Sequence, residues 1–158
     1  MSEANIVEIL VVEDDPHDLA LIQRALQKAC VTPRSRVARD GADALRFIFG
    51  DDGAGGHRSG GNPKVILLDL NLPKLDGLEV LQRLRESPRT KAIPVVVFTS
   101  SRDENDEREC YRLGANNYIV KPVDFERFDA AVQELGKYWL LLSQPRQGAH
   151  LNHPCRSR

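Results

Sequence analysis

The aliphatic runs of this chain end on groups that can do chemistry. Ile6 to Val12 closes on Glu13, Asp14 and Asp15, and Val65 to Leu68 closes on Asp69. Ile93 to Phe98 (IPVVVF) closes on Thr99 and Ser100, and Asn117 to Val120 closes on Lys121 and Pro122. Carboxylates brought together without compensation repel one another and take up protons, whereas a hard divalent cation neutralises them and accepts their oxygens. Mg2+ suits such a donor set, because it needs few carboxylates and keeps positions for water and phosphate oxygens. A phosphoryl group then has room between metal, lysine and hydroxyl: Lys121 supplies a compact positive charge and Thr99 a hydroxyl donor. Taken singly, Asp69 is a solvated strand end, Thr99 a β-favouring residue and Tyr118 a packing aromatic. Asp14, Asp69, Thr99 and Lys121 at four strand ends together make a site. Asp15 before Pro16 reads instead as a helix N-cap followed by proline at the first helical position, and Asp76 before Gly77 reads as a cap and turn.

These residues need a scaffold that gathers strand ends. The three strongly aliphatic runs are strands buried on both faces, and Ser35 to Ala38 and Asn117 to Val120 are weaker strands. Between them, Leu19, Ile22, Leu26 and Ala29 follow helical spacing, as do Leu78, Leu81 and Leu84, with short helices expected near Asp40 to Phe49 and Asp103 to Leu113. Buried strands alternating with amphipathic helices predict an α/β protein, a parallel sheet covered on both faces. In such a sheet ligands bind beyond the carboxyl ends of the strands, where the chemistry above lies. A last helix is expected from about Asp124 to Leu142, with Phe125, Phe128, Val132, Leu135, Trp139 and Leu142 on one face. Tyr138 to Leu142 are five consecutive apolar or aromatic residues, more than one helix face can turn inward, so a partner surface is expected there.

Four motifs in order, EDD after the first strand, D-x-N-x-P-x-x-D-G after the third, T-S after the fourth and Y-x-x-K-P after the fifth, resemble the receiver domain of two-component response regulators, the CheY-like family. The resemblance spans residues 6 to 142 and implies a flavodoxin-like sheet order of 2-1-3-4-5. It implies Asp69 as phosphoacceptor, Asp14 as a direct Mg2+ ligand, Glu13 as a water-mediated one, and the Asn71 carbonyl as the remaining protein ligand. It further implies that Thr99 and Lys121 hold the phosphoryl oxygens, that Tyr118 is an aromatic switch responding to Thr99, and that the Lys121–Pro122 peptide is cis. A narrower resemblance, carried by VEDDPHDLALIQRAL, FTSS and KYWLLL, is to the regulators paired with phytochromes. The implied donor is a sensor histidine kinase, of phytochrome type on the narrower resemblance, or a phosphotransfer protein. The implied assembly is a homodimer through the last helix and the surface it forms with the fourth helix and fifth strand.

Composition excludes several other functions. A formal charge of −1 with 28% charged residues shows no basic excess for nucleic acid. No apolar run approaches the ~18 residues of a membrane span, and no basic region precedes the first apolar stretch as in a signal peptide. Cys30, Cys110 and Cys155 are odd in number and widely spaced, which argues for a reducing, cytoplasmic setting. The chain reads as one domain over residues 1–142, with a Gly-rich insertion at 50–62 and a flexible polar tail at 143–158. A phosphatase of the haloacid dehalogenase type needs a second aspartate two residues after its nucleophile, and Asn71 stands there. A nucleotide-binding module needs a Gly-rich loop after the first strand, where EDDP presents negative charge. The expectation is therefore a phosphoacceptor switch rather than an enzyme.

Overall fold

The computed structural model describes residues 8–28, 35–50, 62–121, 125–130 and 133. The Gly-rich stretch 51–61, the Lys121–Pro122 peptide, the apolar run Tyr138 to Leu142 and the tail lie outside the described residues.

Among the described residues nine elements alternate: β1 (Ile9–Val12), α1 (Pro16–Lys28), β2 (Ser35–Ala38), α2 (Gly41–Phe49), β3 (Val65–Leu68), α3 (Gly77–Glu86), β4 (Val95–Thr99), α4 (Glu104–Arg112) and β5 (Asn117–Val120). Residues 125–130 are also helical. All strand pairs are parallel, in the order β2-β1-β3-β4-β5, as the family resemblance implies. Every residue of β1, β3 and β4 is buried, because helices cover both sides of the sheet. β5, at one edge, is only half-buried along its length.

Side chains alternate between the two faces with the period of two that a strand imposes. Leu10, Val12, Ile66, Leu68, Val95 and Val97 pack with Ala44, Leu45 and Ile48 of α2, Val80, Leu81 and Leu84 of α3 and Cys110 of α4. Ile9, Val11, Val65, Leu67, Val96 and Phe98 pack on the other face with Leu19, Ile22, Ala25 and Leu26 of α1 and with Phe128, whose ring stacks on Phe98 at 4.4 Å.

Helix starts follow the sequence closely. Asp15 accepts from the backbone N–H of His17 at 2.8 Å, with Pro16 opening α1, and Asp40, Asp76 and Asp103 cap α2, α3 and α4 in the same manner. Two expectations shift. The fourth strand begins at Val95 and not Ile93, because Pro94 has no N–H for the ladder and the Ile93 N–H is spent on the Thr90 carbonyl in the preceding turn. The buried stripe of α3 is Gly77, Val80, Leu81 and Leu84, with Leu78 only half-buried. Gly77 sets that phase: a Cβ there would lie 2.3 Å from the Asp69 carbonyl oxygen, so α3 approaches the end of β3 only where a side chain is missing.

Candidate functional site

The strand register places the reactive groups at one rim. Val12 pairs with Leu68 and Ala38, so Glu13 and Asp69 are the first residues past the ends of adjacent strands. Their backbones remain tied in: the Asp69 N–H donates to the Val12 carbonyl at 3.0 Å and the Glu13 N–H to the Ala38 carbonyl at 3.0 Å. Thr99 pairs with Val120, and the Lys121 N–H donates to the Thr99 carbonyl at 2.7 Å.

Glu13, Asp14 and Asp69 each present a carboxylate oxygen within 4.8 Å of the others. Glu13 and Asp69 are buried, 1% and 5% exposed, and Asp14 is the most open of the three. Burial pushes the Glu13 carboxyl up to about 7, against the lowering hydrogen bond from Lys121, and the charge of Asp69 pushes the same way. Such crowded carboxylates are the donor set a hard divalent cation fits, as three oxygen ligands converge where there is no room for three uncompensated charges.

Lys121 faces this cluster. Its ammonium donates to Asp18 Oδ2 at 2.7 Å and Glu13 Oε1 at 2.9 Å, and lies 3.5 Å from Asp69 Oδ2. Burial works against its charge, but the hydrogen bonds to Asp18 and Glu13 and the fields of Asp69 and Glu13 prevail and hold its pKa above the ordinary lysine value. At 9% side-chain exposure, Lys121 is a charge stationed in the interior by carboxylates.

Thr99 is fully buried, and its hydroxyl oxygen accepts from the Asn71 side-chain amide at 3.4 Å and the Ser101 N–H at 3.3 Å. Asn71 also reaches the Ser100 hydroxyl at 3.4 Å, and its backbone N–H donates to Asp69 Oδ1 at 3.2 Å. The β3–α3 loop therefore spans from Asp69 to the end of β4. It is held by a tight turn in which the Leu75 N–H bonds the Pro73 carbonyl at 2.8 Å and Lys74 adopts φ of 67°, a left-handed conformation uncommon outside glycine. Tyr118 is half-buried, and its hydroxyl donates to the Ser101 carbonyl at 3.1 Å. Ser101 in turn donates through its hydroxyl to Asp106 Oδ2 at 2.6 Å, tying Tyr118, the β4–α4 loop and α4 together.

The fold thus gathers Glu13, Asp14, Asp69, Asn71, Thr99 and Lys121 at one rim, with Tyr118 joined to it through Ser101. Two participants are absent from the sequence reading. Ser101 could have been found as the second residue after Thr99, the start of an ST-type turn. Asp18 lies in the first turn of α1, four residues after Asp14, but nothing local pairs it with a lysine 103 positions away.

The response regulator receiver domain family model matches residues 9–133. The probable methanogenesis regulatory protein FilR2 of Methanothrix harundinacea is 43% identical over 132 residues, covering 84% of this chain and 83% of that protein. Response regulator Rcp1 of Synechocystis sp. is 38% identical over 132 residues, 84% of this chain and 88% of that one. Among solved structures, the phosphorylated cyanobacterial phytochrome response regulator RcpA superposes with a TM-score of 0.74 at 36% identity, over 88% of this chain and 97% of its own. A Mn2+-bound form of Rcp1 superposes with a TM-score of 0.73 at 36% identity, over 87% and 97%. Among the described residues no helix is long and apolar enough to cross a membrane.

Proposed function

This chain belongs to the response regulator receiver domain family, and on that premise we propose that Asp69 accepts a phosphoryl group from a phosphohistidine of a sensor histidine kinase or phosphotransfer protein. A carboxylate oxygen of Asp69 bonds to phosphorus as the phosphorus–nitrogen bond breaks, and the departing imidazole nitrogen takes the electron pair and then a proton. Lys121 balances charge on the transferred oxygens, and the Thr99 hydroxyl and the backbone around Asn71 orient them. Glu13, Asp14, Asp69 and the Asn71 carbonyl would hold Mg2+, which supplies countercharge for the phosphoryl oxygens. The observation that carries this reading is the meeting of Glu13, Asp14 and Asp69 within 4.8 Å with the Lys121 ammonium 3.5 Å from Asp69.

Incubation with a small acyl phosphate and Mg2+ is expected to add one phosphoryl group, seen by intact mass, and Asp69→Asn to abolish it. Undiminished labelling of that variant ends the reading. The similarity to RcpA, named a phytochrome response regulator, supports a phytochrome-type kinase as donor. Output then runs through the surface of α4 and β5, where Tyr118 follows Thr99 through the Ser101 loop. Homodimerisation through that surface and the apolar run Tyr138 to Leu142 accompanies it; replacing Leu140 and Leu141 by glutamine is expected to shift sedimentation towards monomer, and an unaltered protein already monomeric at micromolar concentration refutes the dimer.

A further inference from the structure

The firmest contact of Lys121 is with a residue that the reaction above does not use. Its ammonium has three N–H donors and three carboxylates around it: Asp18 at 2.7 Å, Glu13 at 2.9 Å and Asp69 at 3.5 Å. The separation from Asp69 is outside the range of a strong charge-assisted hydrogen bond, and the other two are within it. Lys121 is therefore drawn off the nucleophile. Glu13 is sealed in the interior at 1% side-chain exposure, but Asp18 stands in the first turn of α1 at 26%, where water can replace the lysine it gives up.

From this geometry, and resting on the phosphoacceptor reading of Asp69, we infer that Asp18 is a positioning residue for phosphoryl transfer: it holds the Lys121 ammonium away from the unmodified Asp69 carboxylate and competes with the transferred phosphoryl group for the same donors. Before transfer, a lysine held on Asp18 leaves the Asp69 oxygens unblunted for attack. After transfer, the phosphoryl oxygens must win Lys121 from Asp18, so Asp18 lowers the affinity of the site for what it receives. The two consequences have opposite signs. A residue that merely stabilises α1 would, when replaced, degrade both acceptance and retention. A bare negative charge near the site would, when removed, improve both, since donor and phosphoryl group are anionic.

The test uses the full chain at saturating Mg2+, comparing Asp18→Asn, Asp18→Glu and the unaltered protein. With a small acyl phosphate, Asp18→Asn is expected to be phosphorylated about threefold more slowly, and the phosphoryl analogue beryllofluoride to bind about threefold more tightly, the scale of a partly exposed ion pair. Asp18→Glu, which keeps the carboxylate, is expected to return both towards the unaltered protein. A crystal structure of metal-free Asp18→Asn is expected to show the Lys121 ammonium within about 2.9 Å of Asp69. Rate and affinity moving in the same direction, neither moving, or Lys121 remaining at its present distance from Asp69 would each overturn the assignment. If the unaltered protein is not phosphorylated, or Asp69→Asn is labelled as well as it, the phosphoacceptor reading itself is at fault. If those controls hold and Asp18→Asn alone behaves otherwise, only the role of Asp18 is lost.

Discussion

The two halves of the site are built from different materials. The β1–β3 half carries Glu13, Asp14 and Asp69 just past the ends of strands buried at every position, and the backbones of Glu13 and Asp69 are tied directly to the neighbouring strands. The β4–β5 half carries Thr99, Lys121 and Tyr118, and its outer strand is half-buried and lies at the sheet edge. Its side chains reach over loops: Thr99 to Asn71 and Ser101, Tyr118 to Ser101, Ser101 to Asp106. A cluster of negative charge has to be held rigidly, because any outward relaxation would trade it for solvation. A half that responds to phosphorylation, the role proposed above for Thr99 and Tyr118, needs somewhere to go, and an edge strand with its loop contacts offers that at low cost.

The sharpest way to separate the halves is to remove a carboxylate from the first. Asp14→Ala is expected to weaken Mg2+ binding by tenfold or more, since it removes one of three converging carboxylates and the one proposed as a direct ligand. Asp15→Ala should change it little, because its carboxylate caps α1 by accepting from the His17 N–H. Equal losses in a Mg2+ titration would show that the acidic triplet does not divide into ligand and cap.

A second test uses pH. The Glu13 carboxyl is pushed up to about 7 in the native protein, by burial first, from an ordinary value near 4.5. Between those values the native state keeps a proton that the unfolded chain has released, so the stability of the metal-free protein should fall as pH rises from about 4.5 to about 7 and level off above. The loss is expected to be roughly 1–3 kcal/mol in urea denaturation. Saturating Mg2+ should reverse the slope, because binding favours the ionised carboxylates. A metal-free protein whose stability climbs across that interval would contradict the picture of a buried, charge-crowded half.

The smallest effect belongs to the β4–β5 half. Tyr118→Phe deletes the hydrogen bond to the Ser101 carbonyl and should cost about 0.5–1.5 kcal/mol of stability while leaving Mg2+ affinity unchanged. A matching fall in Mg2+ affinity would mean that the two halves are one rigid unit.

Much of this was legible in the sequence. Strands buried on both faces must be continuously apolar, so the point at which each run breaks marks the sheet rim: Asp69 and Thr99 are breaks of that kind, and Lys121 stands at the same rim after the half-buried β5. The helix starts were legible for an equally local reason: an aspartate one residue ahead of a helix satisfies backbone N–H groups within three positions. The start of β4 was less so, since Ile93 is as aliphatic as its successors and its N–H is claimed by a turn through Thr90. The phase of α3 was hidden as well: Leu78 and Val80 are both apolar, and the choice between them follows from how closely Gly77 approaches the Asp69 carbonyl.

What the sequence by itself determined, then, is the alternation of elements, the caps and the set of reactive groups at the strand ends, because each depends on residues a few positions apart. The tertiary structure alone decided how Lys121 divides itself among Asp18, Glu13 and Asp69, and which loop Tyr118 holds. Those contacts join residues from 17 to 108 positions apart, and a charge in the interior settles on whichever partners the packed backbone brings within hydrogen-bonding distance, a choice that no local pattern encodes.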